Sequence, residues 1–136
     1  MILVDSNVII DVIEGDPHWE AWSAARIADA GANDRAVVNE IVIAEVAPSM
    51  GSLSAFYDAI ALLDIGFAQI GDEAAYLAGT AFLRYRQRRD GSRSVIADFL
   101  IGGHAQVLEA TILTRDPRFY QTYFPTVPLI APDKAD

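Results

Sequence analysis

The chain has 136 residues, 52% of them hydrophobic and 21% charged, with no cysteine and a formal net charge of −9. That length fits one domain able to bury roughly two-thirds of its unfolded surface, and the apolar content excludes a disordered chain. Lack of cysteine excludes a disulfide framework, a thiol nucleophile and a thiolate zinc site; no apolar run approaches the ~20 residues of a membrane span, and Met1 to Asp5 lack the basic start of a signal peptide. A single cytosolic, soluble domain spanning residues 1–136, with no membrane partner, is therefore expected.

Ile2–Val4 reads as a first strand, followed by a helix from Asp5 to Ile13 with Val8, Ile9, Val12 and Ile13 on its apolar face, until Gly15-Asp16-Pro17 stops it. Residues 19–30 predict a second helix, with Pro17 near its start and Gly31 just past its end. A second strand is expected over 35–38, and Asn39 can cap a helix over 41–47 that Pro48 ends. Gly51-Ser52 opens a helix to about Leu63, and 67–70 reads as a third strand between Gly66 and Gly71. A long helix from Asp72 to about Arg89 leads to a turn at residues 90–93. Ser94 then caps a helix containing Ala97, Leu100, Ile101 and Ala105. Residues 111–113 and 127–130 are the predicted fourth and fifth strands. Strands alternating with helices imply an α/β fold, a mostly parallel sheet with helices on both faces, but this pattern leaves the strand order open.

Four acids carry the chemistry. Asp5 and Asp116 each end an apolar run, at the position where an open sheet places its ligands; neighbouring first and fourth strands would bring them face to face. Taken singly, either could merely cap the helix that follows, Asp116 especially with Pro117 behind it. Glu45, in Ile41-Val-Ile-Ala-Glu-Val-Ala47, and Asp98, in Val95-Ile-Ala-Asp-Phe-Leu-Ile101, are acids among apolar neighbours. Acids are seldom buried unless paired or bound to a cation, although a solvated edge would also explain either one. Together the four make an oxygen-rich cage of the kind that suits Mg²⁺ or Mn²⁺.

Charge is unevenly distributed. Residues 1–83 hold thirteen acids against only Arg26 and Arg35, whereas five arginines, Arg84, Arg86, Arg88, Arg89 and Arg93, fall within ten residues. The excess acid argues against a nucleic-acid binder taken as a whole, but the arginine strip offers a local path for a polyanion.

Asp5-Ser-Asn-Val-Ile-Ile, the helical Glu45, Ala97-Asp-Phe-Leu-Ile-Gly-Gly-His-Ala105 and Leu113-Thr-Arg-Asp-Pro-Arg-Phe119 resemble the four acidic motifs of PIN-domain ribonucleases, and most closely VapC-like toxins of toxin–antitoxin pairs. The resemblance covers nearly the whole chain, with the motifs in the family's order. It departs at Arg115, where Asn is common, and at Gly102-Gly103, where alanines are usual. The resemblance implies a three-layer α/β/α fold with a parallel sheet of order 3-2-1-4-5. It further implies a metal-dependent endoribonuclease whose acids hold one or two Mg²⁺ or Mn²⁺ ions. On that pattern Asp5, Asp98 and Asp116 are metal ligands, Glu45 is a ligand or water-orienting base, and Asn7 and Thr114 orient the carboxylates or the scissile phosphate. Implied partners are an RNA, with tRNA and rRNA as candidate substrates, a cognate antitoxin and a second copy of the chain. Arg86, Arg89 and Arg93 are the expected RNA contacts. The non-catalytic alternative is a PIN-fold module that binds RNA or protein without cutting.

Other chemistries fit poorly. Only His18 and His104 are present, and both are expected to be structural or surface residues rather than a metal-free acid–base pair. Asn7 stands where a haloacid-type phosphatase needs an acid, and the only lysine is Lys134 in the tail, too late for a receiver domain. No Gly-rich phosphate loop is present. Trp19, Trp22, Phe56 and Tyr57 are candidates for an apolar groove that seats an antitoxin segment, and the helix over 72–89 for a dimer contact.

Overall fold

In the computed structural model the described residues are 1–88 and 96–133. The expected turn at residues 90–93 and the Ser94 cap lie outside them. β1 (Ile2–Val4) is an apolar triplet with every residue buried, as a strand covered on both faces requires. It runs into α1 (Ser6–Glu14), whose first turn is capped by Asp5 and whose end is Gly15 at φ 66°, a left-handed position suited to glycine. α2 (Glu20–Asn33) leads to β2 (Ala36–Val38). Asn39 then caps α3 (Glu40–Val46), its Oδ1 accepting the Ile41 and Val42 N–H groups at 3.0 and 3.3 Å. A 3₁₀ turn over Ala47–Met50 carries Pro48, and Ser52 caps α4 (Leu53–Leu62) through the Ala55 N–H. β3 (Ile65–Phe67), α5 (Gly71–Arg88), α6 (Ile96–Leu108), β4 (Thr111–Leu113), α7 (Arg118–Tyr123) and β5 (Leu129–Ile130) complete the chain.

All strand pairs are parallel and the order is β3-β2-β1-β4-β5, the order the resemblance implies. Ile2 stands opposite both Ala36 and Thr111, and Val4 opposite Leu113. The ladder between β1 and β4 extends one residue further, where the Asp5 N–H donates to the Leu113 carbonyl at 2.9 Å. Asp5 and the Thr114–Asp116 segment thus leave the sheet side by side at the switch point. α1 packs on α2 and α3, while α5 packs on α6 and α6 on α7. That grouping is what right-handed crossovers produce when one set of helices covers each face. The core between them is built from Leu3, Val37, Val8, Ile9, Ile112, Phe56 and Phe99, all fully buried.

Three elements differ from the sequence reading by more than one residue at a boundary. β3 lies at Ile65–Phe67 rather than 67–70, with Gly66 inside it opposite Val37. On an edge strand whose Phe67 is half exposed, apolarity does not mark the limits, and the glycines taken as bounds misplace it. α2 continues through Gly31 to Asn33, because a single glycine costs a helix only about 1 kcal/mol. β5 begins at Leu129, since Pro128 has no N–H to give a ladder.

Gly102 and Gly103 answer to packing. A Cβ at Gly103 would stand 2.8 Å from the Ala74 carbonyl and 3.1 Å from the Ala78 Cβ, and one at Gly102 would fall within the Phe124 ring. Glycines where the resembled pattern has alanines let α5 and Phe124 close down on α6.

Candidate active site

The four acids reach one place by four routes: Asp5 ends β1, Asp116 follows β4, Glu45 lies in the last turn of α3 and Asp98 in the first turn of α6. All four line a single crevice of about 250 Å³, together with Ser6, Asn7, Ile10, Phe119 and Tyr120. A larger cavity of about 390 Å³ lies at the opposite end of β2 and β3, around Gly31, Asp34, Arg35 and Asp64. Asp34 there already pairs with the Met1 amino group at 2.9 Å, which lowers its pKa. The larger cavity mixes acids with Arg35, whereas the acidic crevice gathers four carboxylates and no base in its lining.

Asp5 is buried and richly bonded. Its Oδ1 accepts the Ser6 N–H at 2.8 Å, and its Oδ2 accepts the Thr114 hydroxyl at 2.9 Å and the Tyr120 phenol at 3.0 Å. It is both the helix cap and a crevice wall, so capping does not exclude a second role for this acid. Burial raises its pKa more than these donors lower it, and the charge of Glu45 adds to the rise. Asp98, half buried, has its carboxyl pushed up to about 6, first by burial and then by the charges of Asp5, Glu45 and Asp116. This mutual repulsion ties all four acids into one electrostatic unit.

Glu45 is solvent-exposed on α3, on the solvated edge left open by the sequence, yet its Oε1 accepts the Ser6 hydroxyl at 2.6 Å across the crevice. Asp116 is exposed as well, and α7 begins after Pro117 without a side-chain cap, so the capping alternative for Asp116 does not apply. Thr114 Oγ accepts from the Asp116 N–H at 3.0 Å and from the Asn7 amide at 3.3 Å, while it donates to Asp5. Asn7 Oδ1 in turn accepts the Arg115 N–H at 3.2 Å. Asn7 and Thr114 thus join the end of β1 to the loop after β4. Among the described residues, no three acid or histidine side chains already converge as a metal-holding group, the four crevice carboxylates included. Their donor set is nonetheless all oxygen, which fits a hard divalent cation.

The other candidates separate. His104 is buried, its Nδ1 2.9 Å from the Asn39 amide, with its pKa lowered chiefly by that burial, and His18 is exposed beside Trp19. Neither lines the crevice. Phe56 is core, so the four aromatics do not form one groove; Trp19 and Trp22 meet edge to face, and Tyr57 is partly exposed. Arg86 is exposed near the end of α5, whereas Arg89 and Arg93 lie outside the described residues.

Sequence reasoning passed over Ser6, Tyr120 and a part-buried ion pair. Asp11 is 1% exposed, accepts the Ser23 hydroxyl at 2.7 Å and pairs with Arg115 Nε at 2.6 Å, while the Arg115 guanidinium lies 5.2 Å over the Trp19 ring. Asp11 stands in Val8-Ile-Ile-Asp-Val-Ile13, an acid among apolar residues like Glu45 and Asp98. The same test applied to it signals burial. Arg115, the departure from the resembled motif, thereby anchors the loop that carries Asp116 to α1 and α2.

An open parallel sheet with four carboxylates at its switch point defines an α/β protein with an acidic crevice. The chain belongs to the PIN domain family, whose profile matches residues 2–125. Among curated proteins no sequence relative matches. Solved structures with the same fold include VapBC2 from Rickettsia felis bound to a fragment of its promoter DNA, at 17% identity and TM-score 0.75, covering 98% of this chain and 100% of that one. VapBC-1 from nontypeable Haemophilus influenzae aligns at 20% identity and TM-score 0.70, over 96% and 98% of the two chains. A toxin–antitoxin complex from Klebsiella pneumoniae aligns at 18% identity and TM-score 0.64, over 96% of each. At these identities the likeness is one of fold.

Proposed function

We propose that this PIN domain is a metal-dependent endoribonuclease and the toxin of a toxin–antitoxin pair. The observation that carries the reading is the convergence of Asp5, Glu45, Asp98 and Asp116 on one crevice, where burial first and then the other three charges raise the pKa of Asp98. Such a charge cluster costs stability unless a cation neutralises it, and perturbed groups of this kind concentrate at functional sites. Asp5, Asp98 and Asp116 would hold Mg²⁺ or Mn²⁺, with Glu45 as a further ligand or as the base that orients water. When bound, the cation supplies Lewis-acid activation of water and neutralises charge on the phosphoryl oxygens. The chain's own part is positional. Thr114 and Asn7 hold Asp5 and the Asp116 loop in register, and Ser6 holds Glu45 across the crevice from Asp98.

An RNA path is supported by the ring contacts of Tyr85 with Phe99 and Tyr123, at 5.6 and 5.8 Å. These seat the last turns of α5, where Arg84 and Arg86 flank Tyr85, against the helix of Asp98. Positive side chains there would hold phosphates beside the acids without reading sequence. The likeness to a toxin–antitoxin complex from Klebsiella pneumoniae supports a cognate antitoxin. Its seat would include the apolar recess of about 260 Å³ around Ile43, Ala47, Pro48 and Leu53, and a basic side chain reaching the carboxylates would compete with the cation. A homodimer would cover Tyr76 and Leu83, exposed one above the other on α5.

The test is RNA cleavage by the purified chain. Cutting that needs Mg²⁺ or Mn²⁺, stops in EDTA and leaves 5′-phosphate ends supports the reading. Cleavage indifferent to EDTA, or 2′,3′-cyclic phosphate ends, contradicts the mechanism. A folded protein that binds RNA or antitoxin but cuts nothing is the non-catalytic module instead.

A further inference from the structure

Tyr120 is almost fully buried in α7, packed edge-on against Phe119 at 5.2 Å, and its hydroxyl donates to Asp5 Oδ2 at 3.0 Å. A buried phenol needs an acceptor, and backbone carbonyls are the commonest supply. This one is spent on the most buried acid of the crevice. The cap of α1 does not require it, because capping uses the other oxygen, Oδ1, through the Ser6 N–H. A carboxylate has about four acceptor positions. Thr114 and Tyr120 occupy both on Oδ2, and Ser6 occupies one on Oδ1. Among the described residues one position remains, and it is on Oδ1.

We propose that Tyr120 is a positioning residue that, with Thr114, locks the Asp5 carboxylate so that Oδ1 alone is presented to the divalent cation. The inference rests on the metal-centre reading given above. Hydrogen-bond partners that orient a ligating carboxylate contribute to metal affinity nearly as the ligands do, and their removal typically costs about 10–100-fold. A purely structural tyrosine, there only to solvate a buried acid, would affect folding stability alone. The residue follows Phe119 of the fourth motif directly, so one short helix supplies both the crevice wall and the donor to Asp5.

The test is Mn²⁺ titration of the full chain by calorimetry, comparing wild type with Tyr120→Phe, which keeps the ring and removes only the hydroxyl. The expected result is Mn²⁺ affinity weaker by about 10–100-fold in a protein of unchanged circular dichroism. Should Tyr120→Phe fail to fold, Thr114→Val removes the other donor to the same oxygen and is expected to show the same loss. Wild-type Mn²⁺ affinity in either folded variant overturns the positioning role while leaving the metal centre intact. Failure of the wild type itself to bind Mn²⁺ overturns the metal centre, and this inference with it.

Discussion

Asp98→Asn removes one charge from a crevice that holds four, and without metal the variant is expected to be more stable than the wild type. The carboxyl of Asp98 is pushed up to about 6 from an ordinary 3.8, a separation that corresponds to about 3 kcal/mol between its two protonation states. Asp98 is only half buried, so solvent screening reduces this to about 1–2 kcal/mol. A carboxyl whose folded pKa lies above its unfolded one destabilises the fold once it ionises. The cost is therefore absent below about pH 4, grows as pH rises toward 6, and is complete above that. Urea unfolding in EDTA should show Asp98→Asn gaining about 1–2 kcal/mol over wild type at pH 7.5 and nothing at pH 4. Adding Mn²⁺ should reverse the order, since a ligand that binds the native state stabilises only the protein that still holds it. A variant less stable than wild type at pH 7.5 in EDTA, or a difference indifferent to pH, would refute the electrostatic reasoning.

Arg115→Ala leaves the buried Asp11 with Ser23 as its remaining side-chain partner among the described residues, and is expected to cost about 3 kcal/mol in urea unfolding; a loss below about 1 kcal/mol would rank the pair with ordinary surface pairs. Gly103→Ala drives a methyl group against the Ala74 carbonyl, so α5 must move off α6, with an expected loss of about 1–3 kcal/mol measured the same way. Changing Arg86, Arg89 and Arg93 together to Ser should weaken RNA binding and reduce the slope of log affinity against log salt by about 2, read by filter binding across a salt series. An unchanged slope would assign these side chains to solubility or the dimer.

Much of the site was legible because its residues break local rules. Asp5 ends an apolar strand and Asp98 interrupts an apolar helix, and both can be seen without knowing what lies opposite them. The strand order was not legible from pattern alone, since the alternation of elements is the same for several orders; motif resemblance supplied it. Elements with strong punctuation fell where expected, such as α1 between Asp5 and Gly15, or α4 after Ser52. β3 did not, because an edge strand paired on one side with glycine in its middle carries little apolar signal. Tyr120 and Ser6 were invisible for a different reason. Their role is defined by partners 115 and 39 positions away in the chain, and a tyrosine in an aromatic helix reads as core until its hydroxyl is located.

The central claim, that these four carboxylates are a divalent-cation centre, is tested most directly by X-ray diffraction from crystals grown with Mn²⁺, at a wavelength where manganese scatters anomalously. The account predicts an anomalous peak within coordinating distance of Asp5 Oδ1 and of carboxylate oxygens of Asp98 and Asp116. A crevice without a peak at saturating Mn²⁺, or a peak seated elsewhere on the molecule, would contradict it.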